Sequence, residues 1–583
     1  MAVPPERRTR RERSGDRHGD QVIDLRAAAA SRGRTAARGS APDPGDLDLA
    51  AADPALRDAV RTYGGEEALP GLHELGRHCG ARATRELAAE VERSPARLDA
   101  YDDAGERVDR VVHHPGWRAL LRDGAQAGLT GRPWASGEPH AHLERAASLL
   151  LWAQVSGSAA AQAATHHAAT AAVVGGPAAA SWLPRLASRR VDVTSRRGSA
   201  ARATSAGLAL SEQGGSDTRA ATTRAVTELG GPLDGGPTWR LSGRKWFVGN
   251  ADADVLVVSA ATDDGPGTFL VPRSLPGTGD DGLRLLRLRH GRARRAWVVG
   301  DVELDDAWAV RLDDENAPGG EALARVAATQ HLDGTVLAAA AVRAALWRAG
   351  HHARRSARPG GPLDTAPLLR TVLADLAVES EAATLLALRL AAATDGTEAD
   401  AALLRLAGPV AASWLSRRAP QVTLEALELA GAAAWDETGV LARLHRDAGA
   451  VLAGATANGL AVDVVRVVAG DPDAVAAFIG ECDTARGHSP RLDAGLDALA
   501  DLLRTAASEA QQDPAAVEAA ARWLVERMAL ALQASLVARH APDAVTEAWL
   551  GGRLESPGTR GLGTAPLGVR QTAVVLDRAL GAT

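Results

Sequence analysis

Apolar residues recur at helical spacing over two long stretches of the chain, and a stretch of different texture separates them. From about residue 46 to 204 the pattern is helical. Its segment HLERAASLLLWAQVSGSAAAQAATHHAATAAV, residues 142–174, lacks proline and is rich in small residues, which predicts helices packed closely through alanine. Between about 205 and 318 short runs rich in Val, Thr and Trp take over, among them TWRLSGRKWFVG, DVLVVSAA, TFLVP and RAWVVGDVEL. The intervening DADA, DDGPG and PGTGDDG predict strands joined by turns. Helical periodicity returns from about 319 to 480, as in EALARVAATQHLDGTVLAAAAVRAALWRAGHHARR. A last helical block covers about 481–583, where RWLVERMALALQASLVARH sets Leu524, Met528, Leu532 and Leu536 four apart on one stripe. The order is α, β, α and a further α block, and no internal repeat is evident.

Residues 1–45 have no such periodicity and predict a disordered arm; within 1–42, ten arginines stand against five acids, a basic tail whose plain reading is a solvated segment. At 583 residues and 46% hydrophobic, the chain can bury several cores, and its formal charge of −6 argues against the whole molecule attracting nucleic acid. Two cysteines, Cys79 and Cys482, exclude a disulfide framework and a cysteine-based zinc site. His351-His352 has no acid to complete a ligand set, so no metal is expected. No apolar run approaches the ~20 residues of a membrane span, and no hydrophobic segment follows the amino-terminal arginines, which predicts a cytoplasmic protein. Lys245 is the only lysine.

Two motifs carry chemistry. GLALSEQGGSD, residues 207–217, offers the hydroxyls of Ser211 and Ser216 and backbone N–H groups to an anionic or ring-polar ligand, although a serine-glycine turn entering a sheet explains it as well. GRKWFVGN follows at residues 243–250. At this separation, inside an α–β–α order, the pair resembles the acyl-CoA dehydrogenase flavoproteins, in which a T-E-P-x-x-G-S-D loop and a K-x-W-[IF]-[TS]-N segment clasp the flavin ring. PARLDAYDDAGERVDRVVHHPGW, residues 95–117, narrows the resemblance to the AidB-like, adaptive alkylation-response branch, through Tyr101, Asp102, Gly105, His114, Pro115 and Trp117. RAASLLLWAQV, DVELDDA, RLHRDAGAVL, VDVVRVV and the extra carboxy-terminal helices also look like that branch, so the likeness spans about 50–583.

The resemblance implies an α+β multidomain, acyl-CoA dehydrogenase-like fold. Its parts are a disordered arm (1–45), an N-terminal α-helical domain (46–204), a central β-barrel or sandwich domain (205–318), a helical bundle (319–480) and an extra helical domain (481–583). It also implies FAD as cofactor, with Leu210, Ser211, Ser216, Phe247, Val248, Gly249 and Asn458 around it, an acyl-CoA-like ligand, and a homo-oligomer, a tetramer in the family.

Several motifs depart from the family pattern. The Thr or Ser that hydrogen-bonds flavin N5 falls on Gly249, which has no side chain. The cluster G-G-x-G-Y reads GAAAW at 431–435, and the Arg-x-x-Phe-Gly segment reads RSARPGGPL at 355–363. The catalytic glutamate of W-E-G falls on Ala453 or Gly454, and the alternative position of the base falls on Gln330, which cannot accept a proton at neutral pH. The neighbouring family arginine falls on His331, whose imidazole has a base's pKa range; a structural histidine is the other reading. These losses predict weak flavin retention and weak or no standard dehydrogenase activity for an oxidoreductase of CH–CH donors. A catalytically silent scaffold and a DNA-associated stress-response protein are the alternatives. DNA binding through the last block is disfavoured, since residues 471–583 hold ten arginines against fifteen acids.

Overall fold

The computed structural model describes residues 43–191, 203–228, 230–231, 233, 238–275, 282–313, 320–358, 361–450, 456–554 and 561–581. The arm expected over 1–45 lies almost wholly outside them. Among the described residues, no helix is long and apolar enough to cross a membrane.

The first block contains α1 (Pro54–Thr62), α2 (Leu69–Gly80), α3 (Arg82–Glu92), α4 (Trp117–Gln126), the single turn α5 (Pro133–Ser136), α6 (Ala141–Ala153), α7 (Gly157–Val173) and α8 (Ala179–Leu186). Ser156 caps α7, its hydroxyl accepting the N–H of Ala159 at 3.2 Å. Helices α6 and α7 are buried on nearly every face, and their alanines permit the close approach that this burial needs. The periodicity predicts a wholly helical block, and here the structure differs. Residues 97–112 form an antiparallel hairpin, β1 (Arg97–Tyr101) and β2 (Arg107–Val112), closed by Asp102, whose Oδ1 accepts the N–H groups of Ala104 and Glu106. The hairpin is an outlier because it serves the β domain: Leu98 and Val111 pack on that core, and Asp109 Oδ2 accepts the N–H of Leu285 at 2.8 Å.

The β domain comprises β3 (Ala206–Ala209), β4 (Arg224–Glu228), β5 (Thr238–Gly249), β6 (Val255–Thr262), β7 (Gly265–Pro272), β8 (Leu283–Leu288) and β9 (Val299–Arg311). The sheet is mainly antiparallel, with parallel pairings of β6 to β3 and to β4. Because β5 pairs with β4 on one side and β9 on the other, while β6 and β7 link β4 to β9, the sheet closes into a barrel around Leu241, Val258, Phe269 and Val302.

The bundle is α9 (Glu321–Arg355), α10 (Pro367–Thr394), α11 (Glu398–Ala430), α12 (Val440–Ala448) and α13 (Ala457–Gly470). The last block is α14 (Pro472–Asp483), α15 (Pro490–Gln512), α16 (Pro514–Ala519), α17 (Ala521–His540), α18 (Asp543–Arg553) and α19 (Val569–Leu580). The boundary expected at 480/481 falls inside α14; the chain breaks instead at Asp471, whose side chain caps that helix through the N–H of Ala474. Leu524, Met528, Leu532 and Leu536 are all buried, but α17 exceeds a one-stripe helix because α10, α11, α13, α14, α15 and α18 surround it.

Buried charge ties these blocks together. Arg553 of α18 donates to Glu379 and Asp375 of α10, both at 2.6 Å, and Arg418 of α11 donates to Glu379 at 2.7 Å. Between the first block and the bundle, Arg145 forks onto Asp333 of α9 at 2.5 and 3.0 Å, and His167 bonds the same carboxylate through Nδ1 at 3.0 Å. Burial is the main force holding His166 and His167 down to about 4.

Arg553→Met leaves two buried carboxylates without their main partner, and its expected cost is about 3–5 kcal/mol in urea unfolding; a loss below about 1 kcal/mol, the scale of an exposed ion pair, would show that the network is solvated. As pH falls below 6.5, the unfolded chain protonates histidines that the fold keeps neutral down to about 4, so their stabilisation is lost across that window. Asp447, pushed up to about 6 by burial and by Glu92, opposes this as a single group. The melting temperature is expected to fall from pH 7 to pH 5, and a rise over that range would contradict the burial of this pair.

Candidate active site

Strand β3 ends in the loop that starts at Ser211, and two fixed contacts set the loop's path. The N–H of Trp246 donates to the Ser211 carbonyl at 2.8 Å, which keeps the loop against β5. Glu212 then points inward. One carboxylate oxygen accepts from Lys245 Nζ at 2.6 Å, and the carboxylate also takes the N–H and hydroxyl groups of Thr222 and Thr223. Lys245 is fully buried, and its ammonium also reaches Ser259 Oγ at 3.2 Å. Burial pulls the Lys245 pKa down. At Glu212 burial works upward, but Lys245 and the two threonines outweigh it and hold the carboxyl well below the usual range. Glu212 is therefore a carboxylate at neutral pH, with the Lys245 amine as its buried partner. With the loop held this way, the Ser211 and Ser216 hydroxyls remain without a hydrogen-bond partner among the described residues and face a cavity.

On β5 the register against β9 shifts by one residue between Lys245 and Val248. This bulge places Phe247 in the left-handed region, φ +52°, and turns its ring out into the cavity, 59% exposed. Arg289 lies 4.2 Å from the Phe247 ring centroid and 4.6 Å from that of Trp246. Asp301 fixes this arrangement, accepting from Arg287, from Arg289 and from the N–H of Phe247. Val248 turns into the barrel core, and Gly249 lies beneath Trp297 and Thr165. A Cβ at 249 would come 3.0 Å from Trp297 Cζ2 and 3.2 Å from Thr165 Cγ2, so the indole occupies the room that a side chain would need. Trp297 is fixed by donating to Asn250 Oδ1 at 2.7 Å, and Asn250 in turn donates to the carbonyls of Gln162 and Ala206.

The opposite wall is helical. Gln330 and His331 come from α9, whose rotation is set by Asp333; Pro420 comes from α11 and His445 from α12. Burial holds the His331 imidazole down to about 4, so it is neutral, and its ring nitrogens have no partner among the described residues. The space enclosed between the two walls is about 1430 Å³, larger than the ~300–1,000 Å³ of an ordinary small-molecule site. Six arginines border it, 219, 289, 292, 294, 446 and 466, against Asp217 and Asp463. The cavity thus presents an aromatic ring, free hydroxyls and cationic groups to its contents.

Of the residues expected from the sequence, Leu210, Ser211, Ser216, Phe247 and His331 line this one cavity. Val248 and Gly249, expected to contribute backbone groups, do not line it: the Val248 side chain turns into the barrel core and Gly249 lies beneath Trp297. Nor does the side chain of Asn458: it sits on the exposed first turn of α13 and accepts from Arg417 Nη2 at 2.6 Å, while Thr456, Gly459 and Leu460 form the wall. Ala453 and Gly454 lie outside the described residues. The sequence reading passed over Arg289, Arg294 and Trp297. It noted Lys245 as the only lysine and as part of GRKWFVGN without giving it a role; the structure buries it fully against Glu212.

Lys245→Met strands the Glu212 charge and is expected to cost about 3–5 kcal/mol. Pairing it with Glu212→Leu should recover part of that loss. A double-mutant cycle by chemical denaturation with zero coupling would show that the pair does not hold the loop.

Comparison with known proteins places this geometry. The chain matches the adaptive response protein AidB N-terminal domain over residues 40–193, the acyl-CoA dehydrogenase middle domain over 207–307 and the acyl-CoA dehydrogenase C-terminal domain over 334–456. It is 31% identical to the putative acyl-CoA dehydrogenase AidB of Escherichia coli K12, over 72% of this chain and 78% of that one. It is 24% identical to Caenorhabditis elegans acyl-CoA dehydrogenase family member 11, over 80% and 79%. The crystal structure of C. elegans ACDH-11 in complex with C11-CoA superposes with a TM-score of 0.77 at 21% identity, over 93% of this chain and 92% of that one. The chain belongs to the acyl-CoA dehydrogenase family and carries an AidB-type N-terminal domain.

Proposed function

We propose that this protein binds FAD in the cavity between barrel and bundle, takes a CoA thioester beside it, and has little or no standard α,β-dehydrogenase activity. The observation that carries this reading is the convergence of the Ser211 and Ser216 hydroxyls and the Phe247–Arg289 stack on one wall, facing Gln330 and His331 on the other. The donor set fits the cofactor: unpartnered hydroxyls suit ring carbonyl and phosphate oxygens, an exposed ring suits a flat heterocycle, and the arginines suit phosphates. C. elegans ACDH-11 was crystallised with C11-CoA, and a Bacillus anthracis acyl-CoA dehydrogenase, TM-score 0.55, with FAD.

When bound, the flavin supplies a two-electron acceptor. This chain's own residues have the other half of the chemistry to do, which is to remove the α-proton of a thioester. Gln330 has no proton-accepting oxygen at neutral pH, and Ala453 or Gly454 stands where the family has its glutamate. His331 borders the cavity as a neutral acceptor, but with its pKa held near 4 it is a poor match for a base working near neutrality. The site is thus built to hold and orient a ligand more than to deprotonate one. At Gly249 a hydrogen bond toward the ring is missing, worth about 0.5–1.5 kcal/mol, which weakens retention by up to roughly tenfold.

Reconstituted with FAD, the protein is expected to absorb near 450 nm and to lose flavin on gel filtration, and Ser211→Ala with Ser216→Ala should raise the FAD Kd by about tenfold or more. Dye reduction with saturated acyl-CoAs should be negligible. Ala453→Glu or Gly454→Glu should raise it by about 10²–10⁴-fold, the usual range of general-base effects. Rapid wild-type turnover that survives His331→Ala would refute the weak-base reading, and failure to take up flavin at any concentration would refute the cofactor.

A further inference from the structure

We propose that Arg294 is a carboxylate anchor, and that the cavity selects CoA thioesters of dicarboxylic acids over monocarboxylic ones; this rests on the reading above that the cavity takes a CoA thioester. Arg294 lies in the loop between β8 and β9, in the left-handed region at φ +51°, with 6% of its surface exposed. Its backbone N–H donates to Asp447 Oδ1 at 2.9 Å, which anchors the main chain and commits that oxygen. The side chain borders the large cavity and two recesses of about 30 Å³ beside it, one lined by Thr165, Gln330, Gly334 and the Arg145-paired Asp333, the other by Gly157, Leu337, Arg443 and Asp447.

The guanidinium makes no hydrogen bond and no ion pair among the described residues. The other cavity arginines differ in this respect. Arg219 pairs with Asp217, Arg289 with Asp301, Arg446 with Glu437 and Arg466 with Asp463, while Arg292 is exposed to water. Glu92 and Asp447 are the nearest carboxylates in charge terms, but neither accepts a hydrogen bond from the guanidinium: Glu92 Oε1 takes the N–H of Ser158 at 2.9 Å, and Glu92 Oε2 is buried without a partner. The cation is thus largely buried, with no hydrogen-bonded acceptor where it borders the cavity, a position that a ligand's acceptor would complete. A carboxylate is the group that matches a planar fork in two hydrogen bonds. A phosphate is better matched by Arg219 and Arg292, which are exposed.

The test measures equilibrium binding to the full-length protein of length-matched pairs, succinyl-CoA against butanoyl-CoA and adipoyl-CoA against hexanoyl-CoA, with free CoA as reference. Wild type is expected to bind one or both dicarboxylic thioesters about 10- to 100-fold more tightly than their partners, the range of a hydrogen-bonded charge. Arg294→Gln should bring the favoured thioester down to the affinity of its partner, and Arg294→Lys should retain part of the preference. Equal affinities within both pairs in wild type, or a preference that survives Arg294→Gln, overturns the anchor while leaving the CoA-thioester reading intact. If neither free CoA nor any thioester binds, both fall. If Arg294→Gln does not fold, the wild-type comparison and Arg294→Lys decide.

Discussion

The ion pair between Glu212 and Lys245 is the constraint on which the barrel side of the cavity depends. It joins the loop that leaves β3 to the middle of β5, and it does so in a place almost without water, where a misplaced charge has no alternative partner. Because Lys245 must face inward to meet Glu212, the bulge that follows it turns Phe247 outward. Because Glu212 is held by five donors at once, the serines on either side of it are free to face the cavity. One buried contact thereby sets the position of a ring and two hydroxyls.

A comparable constraint governs the helical wall. Asp333 is held by Arg145 and His167, from two different helices of the first block, so α9 cannot rotate or slide without breaking a buried fork. Gln330 lies one turn before Asp333 and borders the same small recess. The two walls are positioned independently, one by a charge pair inside the barrel and the other by a network between helices. The cavity is the gap between these two separately anchored walls.

Much of this architecture could be read from the chain because period and texture change where the layers change. The alanine-rich helices, the strand-like runs and the return to helix follow directly from side-chain spacing, and the loop at 207–217 and the segment at 243–250 stand out by their motifs, whereas the bulge at Phe247 does not. The misses have physical causes too. The hairpin at 97–112 carries mostly charged residues on its outer face, so its alternation is faint, and only DDAG marks the turn. Asn458 was assigned by motif position, but side-chain direction on the first turn of α13 depends on Arg417, which is 41 residues away in sequence. Arg294 had no chance of standing out in a chain with one lysine among 66 basic residues: an arginine there is background, and only burial without a partner distinguishes it.

The packing of Trp297 over Gly249 ties two positions together. A hydroxyl-bearing residue at 249 presses on the indole and requires it to shift, while a smaller residue at 297 opens a void and strips Asn250 of the donor that orients it. Each change alone is unfavourable, and only the two together restore a packed arrangement. The two positions are therefore coupled: the residue at 249 and the indole at 297 share one volume, and the size of either sets the room left for the other.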